Sequence, residues 1–265
     1  MQKHQRPTIA DLRAIKGQRQ LTMLRVETLE EAAAAQQAGI DLLSVPPALL
    51  GPAFRDVAPD CFAIPGLEYG DFVTAEDYLR GAFAAMRAGA DAVYCAASMA
   101  TVRRLRDEGI PVCGHTGLIP SQATWTGGFK AVGKTADSAL RIWQQVQALE
   151  AAGAFAAEIE VVPTEVAALI SQRTSLVMIS MGAGAGCDAQ YLFAADVLGS
   201  NRGHRPRHAK VYRDFAAEFD KLQVERIAAF REFQADVAGG AYPQANHQVA
   251  IAAEELARFK SALPG

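Results

Sequence analysis

The sequence predicts a (β/α)8 TIM barrel with extra C-terminal helices, and three observations carry that reading. Eight short runs suited to strands lie along the 265 residues, with helical or loop segments between them. Three times an alanine-rich helical pattern ends in Ala-Gly and passes into such a run, in "EEAAAAQQAGIDLLSV", "YLRGAFAAMRAGADAVYCA" and "QQVQALEAAGAFAAEIEVV". The chain is 50% hydrophobic and no low-complexity linker divides it, so residues 1–265 are expected to form a single barrel domain.

In chain order the predicted strands are "QLTMLRV", "DLLSV", "CFAIP", "DAVYCA", "PVCGH", "AAEIEVV", "SLVMIS" and "QYLFAADVLG". Before three of them a glycine (Gly39, Gly89, Gly153) supplies the left-handed cap that ends a helix, and the residues that follow suit a strand buried on both faces. The fifth strand runs into a glycine-rich loop, Pro163 ends the sixth, and the seventh enters the turn "MGAGAGCDAQ". Beyond them, "VYRDFAAEFDKLQVERIAAFREFQADVAGG" and "NHQVAIAAEELARFKSAL" read as two amphipathic helices, a C-terminal extension over 211–265 whose apolar faces ask for neighbouring subunits.

Charge narrows the partners. Twenty-six Lys and Arg against 29 Asp and Glu leave no basic footprint for nucleic acid or an anionic membrane, so the expected partner is a small molecule. Cys61, Cys95, Cys113 and Cys187 are far apart, without Cys-x-x-Cys spacing, and read as buried thiols of a reducing cytoplasm. "MQKHQRPTIADLRAIKG" has no apolar leader core, and no stretch approaches the roughly 18 apolar residues of a membrane span. A cytoplasmic protein is the expectation.

In such a barrel the working residues stand where strands end and βα loops begin. His115 closes the fifth strand in "PVCGH". Glu158 and Glu160 share one face of the sixth by the two-residue period; two carboxylates facing a barrel interior are costly unless one is protonated, paired or bound to metal. The turn containing Gly182 and Gly184 is either a tight turn or a cradle of backbone amides for an anion. It has neither a Walker sequence nor the Gly-x-Gly-x-x-Gly order.

The blocks "PVCGHTGLIPSQATWTGGFKAVGK", "ALEAAGAFAAEIEVVPTEVA", "MGAGAGCDAQYLFAADVLG", "GHRPRHAKVY" and "AYPQANH" resemble the ketopantoate hydroxymethyltransferase family, within the phosphoenolpyruvate mutase and isocitrate lyase superfamily. The resemblance runs from about Leu21 to His247. It implies a barrel enzyme that moves a one-carbon unit from methylenetetrahydrofolate to the enolate of a branched 2-oxo acid, in ring-based homo-oligomers, commonly decamers. It makes Glu160 the base and His115 a residue that helps hold the oxo acid.

The family's magnesium ligands are where the sequence departs. Relatives carry an aspartate in a Gly-Asp-Ser-Leu-Gly turn, an aspartate in an Ala-Asp-Leu-Pro turn, and a lysine and glutamate in Lys-Ile-Glu-Gly-Gly. The corresponding turns here are "SVPPALLG", "AIPGLEYG" and "VYCAASM", so that Pro46 and Gly66 replace the aspartates while Tyr94 and Ala96 replace the lysine and the glutamate. Pro46, Gly66, Ala96, Gly182 and Gly184 are the expected substrate-binding wall; Tyr94 joins Glu160 and His115 as the expected catalytic set, donating to an oxyanion, or else fills the vacated space. Proline, glycine and alanine side chains offer magnesium no oxygen, so no metal ligand is assigned. Glu68 and Asp71, just past the third strand, are either a displaced pair of ligands or solvated loop acids. The segment from Pro46 to Ile64 reads as though the helix after strand two were reduced to a loop.

Three functions follow: a diverged, metal-independent enzyme of enolate or aldol-type chemistry on a 2-oxo acid or related carbonyl compound; an ordinary hydroxymethyltransferase of pantothenate biosynthesis; and a catalytically silent homologue acting as a binding or scaffold subunit.

Overall fold

A computed structural model describes residues 6–264. The chain divides into two compact units, Met1–Arg213 and Asp214–Gly265. Among the described residues the first unit holds eight strands: β1 (Leu21–Arg25), β2 (Leu42–Val45), β3 (Phe62–Pro65), β4 (Val93–Tyr94), β5 (Val112–Gly117), β6 (Ala156–Glu160), β7 (Val177–Met181) and β8 (Ala189–Phe193). All ladders between them are parallel, in the order β3-β2-β1-β8-β7-β6-β5-β4. The β3–β4 seam is closed by a parallel bridge between Gly66 and Tyr94, with Leu67 N donating to Tyr94 O at 2.9 Å. A parallel sheet of eight strands joined edge to edge is the (β/α)8 barrel.

Nine helices belong to this unit: α1 (Ile9–Ile15), α2 (Leu29–Ala38), α3 (Pro52–Val57), α4 (Ala75–Arg87), α5 (Met99–Asp107), α6 (Ala123–Thr126), α7 (Ala136–Ala151), α8 (Thr164–Ser171) and α9 (Ala194–Leu198) among the described residues. Threonines start several of them. Thr28, Thr74 and Thr135 each accept a backbone N–H three residues on, satisfying a donor that the first helical turn leaves open. Gly39, Gly89 and Gly153 stand at φ 75°, 101° and 87°, the left-handed turns expected after α2, α4 and α7.

The core has an inner and an outer layer. Leu21, Met23, Leu42, Phe62, Ile64, Ala92, Cys113, Ala156, Val177, Ile179, Ala189 and Tyr191 alternate along their strands and pack together inside the barrel. The intervening residues, such as Leu43, Ala63, Val93, Val112, Ala157 and Met178, pack with the helices outside. All four cysteines are free and buried. Among the described residues no helix is long and apolar enough to cross a membrane.

Two expectations need correction. The run "QYLFAADVLG" is a strand only through Phe193; Ala194–Leu198 turns helical and ends at Gly199, φ 69°. A short apolar run does not separate strand from helix by period, and here the Ala-Ala pair and the terminal glycine favour helix. The segment after β2 is also more than a loop, because Pro47–Leu49 forms a 3-10 turn and α3 follows. Arg55 on α3 explains why that helix is kept: its guanidinium donates to Gly89 O and Cys61 O and pairs with Asp91 at 2.6 Å, while Asp91 also accepts from Ala63 N, tying together the β3 and β4 sides of the seam.

The second unit consists of α10 (Phe215–Gly239) and α11 (Ala253–Ala262) with a 3-10 turn at Ala245–His247. Asp214 caps α10 by accepting from Ala217 N, and neither helix has a buried residue.

Candidate active site

The two-residue period that fills the barrel also builds its mouth. Leu21 and Met23 are followed on the same face of β1 by Arg25, Leu42 by Ser44, Phe62 and Ile64 by Gly66, Ala92 by Tyr94, Cys113 by His115, Ala156 by Glu158 and Glu160, Val177 and Ile179 by Met181, and Ala189 by Tyr191 and Phe193. Each of those later residues lines one cavity of about 690 Å³ at the C-terminal end of the strands.

His115 is its centre. Its side chain is 2% exposed, and both ring nitrogens are engaged: Nε2 lies 2.9 Å from Leu118 O and Nδ1 2.7 Å from Tyr94 Oη. A carbonyl only accepts, so Nε2 carries a proton, and in the neutral ring Nδ1 accepts from the Tyr94 hydroxyl. Glu160 Oε2 stands 3.3 Å from Nε2 and Glu158 Oε2 3.6 Å from Nδ1, placing a carboxylate on each side of the imidazole. Burial opposes protonation of His115, but the Glu160 hydrogen bond and the charges of both glutamates outweigh it and hold its pKa above the ordinary value.

The pair on β6 divides its roles. His115 is the register partner of Glu158, and Gly117 that of Glu160, so Glu160 lies one step nearer the mouth. Burial first, and then repulsion by Glu160 and Glu68, raise Glu158 from 4.5 to about 7, against the opposing pull of His115 and Arg25. Burial, aided by the Glu158 charge, pushes the Tyr94 phenol far above its normal range, so it stays a donor at any working pH. The backbone beside Glu160 is held in unusual shapes. A Cβ on Gly117, φ 86°, would fall 2.4 Å from Glu160 O, and Val161, next in sequence, stands at φ 49°, a genuine outlier for a β-branched residue.

The structure brings together most of the residues singled out from sequence. Tyr94, His115, Glu160, Gly66 and Gly182 line the cavity together, with Glu158 and Glu68. Gly182 lies under the His208 ring, which a Cβ there would meet at 2.6 Å. Pro46, Ala96 and Gly184 are not on this wall. Pro46 opens the 3-10 turn after β2, its carbonyl accepting from Leu49 N. Ala96 lines an adjoining cavity of about 570 Å³ that also reaches His115. Gly184 packs against Thr164, and its carbonyl accepts from Ser180 and Gln190, so its absent side chain serves close packing of the turn on α8.

Arg25, Ser44, Tyr191 and His208 are cavity residues that the motifs did not flag. The strand-end rule applied to every strand finds Arg25 and Ser44, and His208 sits inside the block "GHRPRHAKVY". Among the described residues no three His, Cys, Asp or Glu side chains form a group able to hold a metal ion.

A parallel barrel with a histidine between two carboxylates at the C-terminal ends of its strands defines a TIM-barrel protein with an enzyme-like rim site. Its backbone is similar to two solved barrels: phosphonopyruvate hydrolase in complex with oxalate and Mg++, at a TM-score of 0.53 and 13% identity over 97% of this chain and 99% of that one, and oxaloacetate acetylhydrolase in complex with oxalate, at 0.53 and 13% over 88% and 97%. The chain belongs to the ketopantoate hydroxymethyltransferase family, whose sequence pattern matches residues 53–245. Among its relatives, the 3-methyl-2-oxobutanoate hydroxymethyltransferase of Cenarchaeum symbiosum (strain A) is 40% identical over 171 residues, 63% of each chain. That of Escherichia coli O17:K52:H18 (strain UMN026 / ExPEC) is 36% identical over 198 residues, 74% of this chain and 72% of that protein. The match with the Cenarchaeum symbiosum relative thus spans less than two thirds of that protein's length.

Proposed function

We propose that this protein enolises a branched 2-oxo acid and joins the enolate to a one-carbon or other carbonyl electrophile, without a divalent metal. The observation that carries the reading is the set at the rim: Glu160 and Glu158 flanking His115, which is hydrogen-bonded to Tyr94. In this reading the Glu160 carboxylate takes the proton from the carbon beside the ketone. The C–H electron pair becomes the carbon–carbon double bond, and the carbonyl π pair moves onto oxygen as the enolate. Tyr94 donates to that oxygen. His115, held toward its protonated form, turns Nδ1–H onto the phenol oxygen and strengthens the donation. The enolate carbon then attacks the electrophile's carbon, and the electrophile's oxygen takes up the proton that Glu160 removed. The family resemblance supplies methylenetetrahydrofolate as the source of that carbon: water hydrolyses it to formaldehyde, releasing tetrahydrofolate, and formaldehyde is then the carbonyl electrophile whose oxygen takes the proton.

The donor set supports a site without magnesium. Pro46, Gly66 and Ala96 carry no side-chain oxygen, the Tyr94 phenol is engaged by His115, and Glu158 and Glu160 flank the same ring. Glu68, the remaining carboxylate on the wall, stands 3.7 Å from the Arg25 guanidinium. No step therefore runs through a metal. Assembly of copies through residues 214–265 is part of the same proposal.

Proton exchange at carbon tests it. Proton NMR of 2-oxoisovalerate in deuterated water should show wild type replacing the hydrogen on carbon 3, and Glu160→Gln slowing that by roughly 10²–10⁴-fold with its circular dichroism unchanged. Equal rates in the two proteins would remove Glu160 from the role of base.

A further inference from the structure

The cavity's acids face a cation that lies below the rim. Arg25 ends β1, its side chain is 17% exposed, and it lines the wall beside Ser44, Glu68, Tyr94 and Glu158. The lysines and the other arginine on that wall, Lys130, Lys134 and Arg207, are exposed. Arg25 Nε donates to Glu27 at 2.7 Å and Nη1 to Ser44 Oγ at 3.4 Å, with Glu68 3.7 Å from Nη1. Among the described residues the Arg25 hydrogen bonds leave from Nε and Nη1, and Nη2 has no acceptor. The charge of Arg25 is felt at Glu158 and at Tyr191, both inside the barrel.

Its acidic partners do not account for its position. Glu27 and Glu68 are 55% and 54% exposed, and pairs with such solvated carboxylates contribute little to stability. A ligand explains it better. A 2-oxo acid brings a negative charge into a pocket that already holds Glu160 and Glu158, and enolisation adds a second one. Without a positive partner that substrate is repelled.

We propose that Arg25 binds the carboxylate of the 2-oxo acid and stabilises the charge that grows on enolisation, so that a guanidinium serves where a divalent cation otherwise would. A guanidinium suits the task because it is charged at every working pH and presents parallel N–H donors matched to a carboxylate. Ser44, buried and within reach of Nη1, helps orient it. The inference rests on the 2-oxo acid reading above and adds the residue that recognises the acid.

Calorimetric titration with oxalate and with 2-oxoisovalerate, in buffer containing EDTA, tests it alongside the exchange assay. Wild type should bind both. Arg25→Gln should bind them roughly 10- to 100-fold more weakly and exchange correspondingly slowly, with Arg25→Lys between the two. Glu160→Gln should bind at least as tightly as wild type, since it loses a negative charge. If Arg25→Gln lowers the melting temperature, Arg25→Lys carries the test, and unchanged binding in that variant overturns the proposal. Wild-type affinity in Arg25→Gln, with exchange intact, overturns Arg25 alone and leaves Glu160 standing. A wild type that binds neither acid and does not exchange the carbon-3 hydrogen of 2-oxoisovalerate overturns both.

Discussion

His115 has no ring nitrogen to spare, and that fixes what it can do. With Nε2–H directed at Leu118 O and Nδ1 bonded to Tyr94, its part in the proposed reaction is to position and polarise the phenol. Glu158 at about 7 stands far from the ordinary carboxyl, and this has a consequence for stability. Between pH 4.5 and 7 the folded protein holds a proton that the unfolded chain releases, so stability falls as pH rises through that window and levels above it. His115, raised above 6.5, acts in the same direction: its contribution is complete below 6.5 and is lost as pH rises through its folded value. Glu158→Gln should therefore flatten the dependence, its stability relative to wild type improving by on the order of 3 kcal/mol from pH 4.5 to 7. Urea unfolding of both proteins across that range measures this, and a constant difference contradicts it. At this scale the sequence revealed His115 and the Glu158/Glu160 pair, because strand ends and the two-residue period need only local spacing. The Tyr94–His115 bond joins two strands across 21 residues, and the nearness of Arg25 to Glu158 depends on barrel closure; neither is a property of any local stretch.

Elements that bury both faces were the most legible. β1 to β4 and β6 fall within the runs read as strands, and β5 and β7 run past theirs, β5 to Gly117, two residues beyond the His115 read as its end, and β7 to Met181. A strand covered by helices outside and by its own barrel inside is apolar throughout, and its polar end gives no boundary. Connections were less so. β7 and β8 are joined by residues 182–188 without a helix, and the glycines there serve close approach: a Cβ on Gly184 would meet Thr164 at 2.4 Å and one on Gly186 would meet Ala168 at 2.3 Å. Glycine for packing and glycine for an anion read alike in sequence, since both needs are met by a missing side chain. The short α3 was missed because its value lies in one side chain, Arg55, whose partners Gly89 and Asp91 are 34 and 36 residues away.

At the scale of the whole molecule, the strands carry the site to one end of a closed barrel, while the unit over 214–265 presents apolar surface. Phe219, Leu222, Ile227, Phe230 and Phe233 on α10 are between 40% and 72% exposed. A helix of 25 residues with such a surface gains by meeting another copy, so light scattering at micromolar concentration should give a mass above the 28.2 kDa monomer. A monomer at moderate salt contradicts that part of the proposal. In the proposed reaction this barrel enolises a 2-oxo acid with protein groups alone. The direct measurement is the rate at which wild type exchanges the carbon-3 hydrogen of 2-oxoisovalerate with deuterated water, taken with EDTA and again with added magnesium. Wild type should exchange at the same rate in both; exchange that vanishes with EDTA and returns with magnesium would rule out metal-independent enolisation.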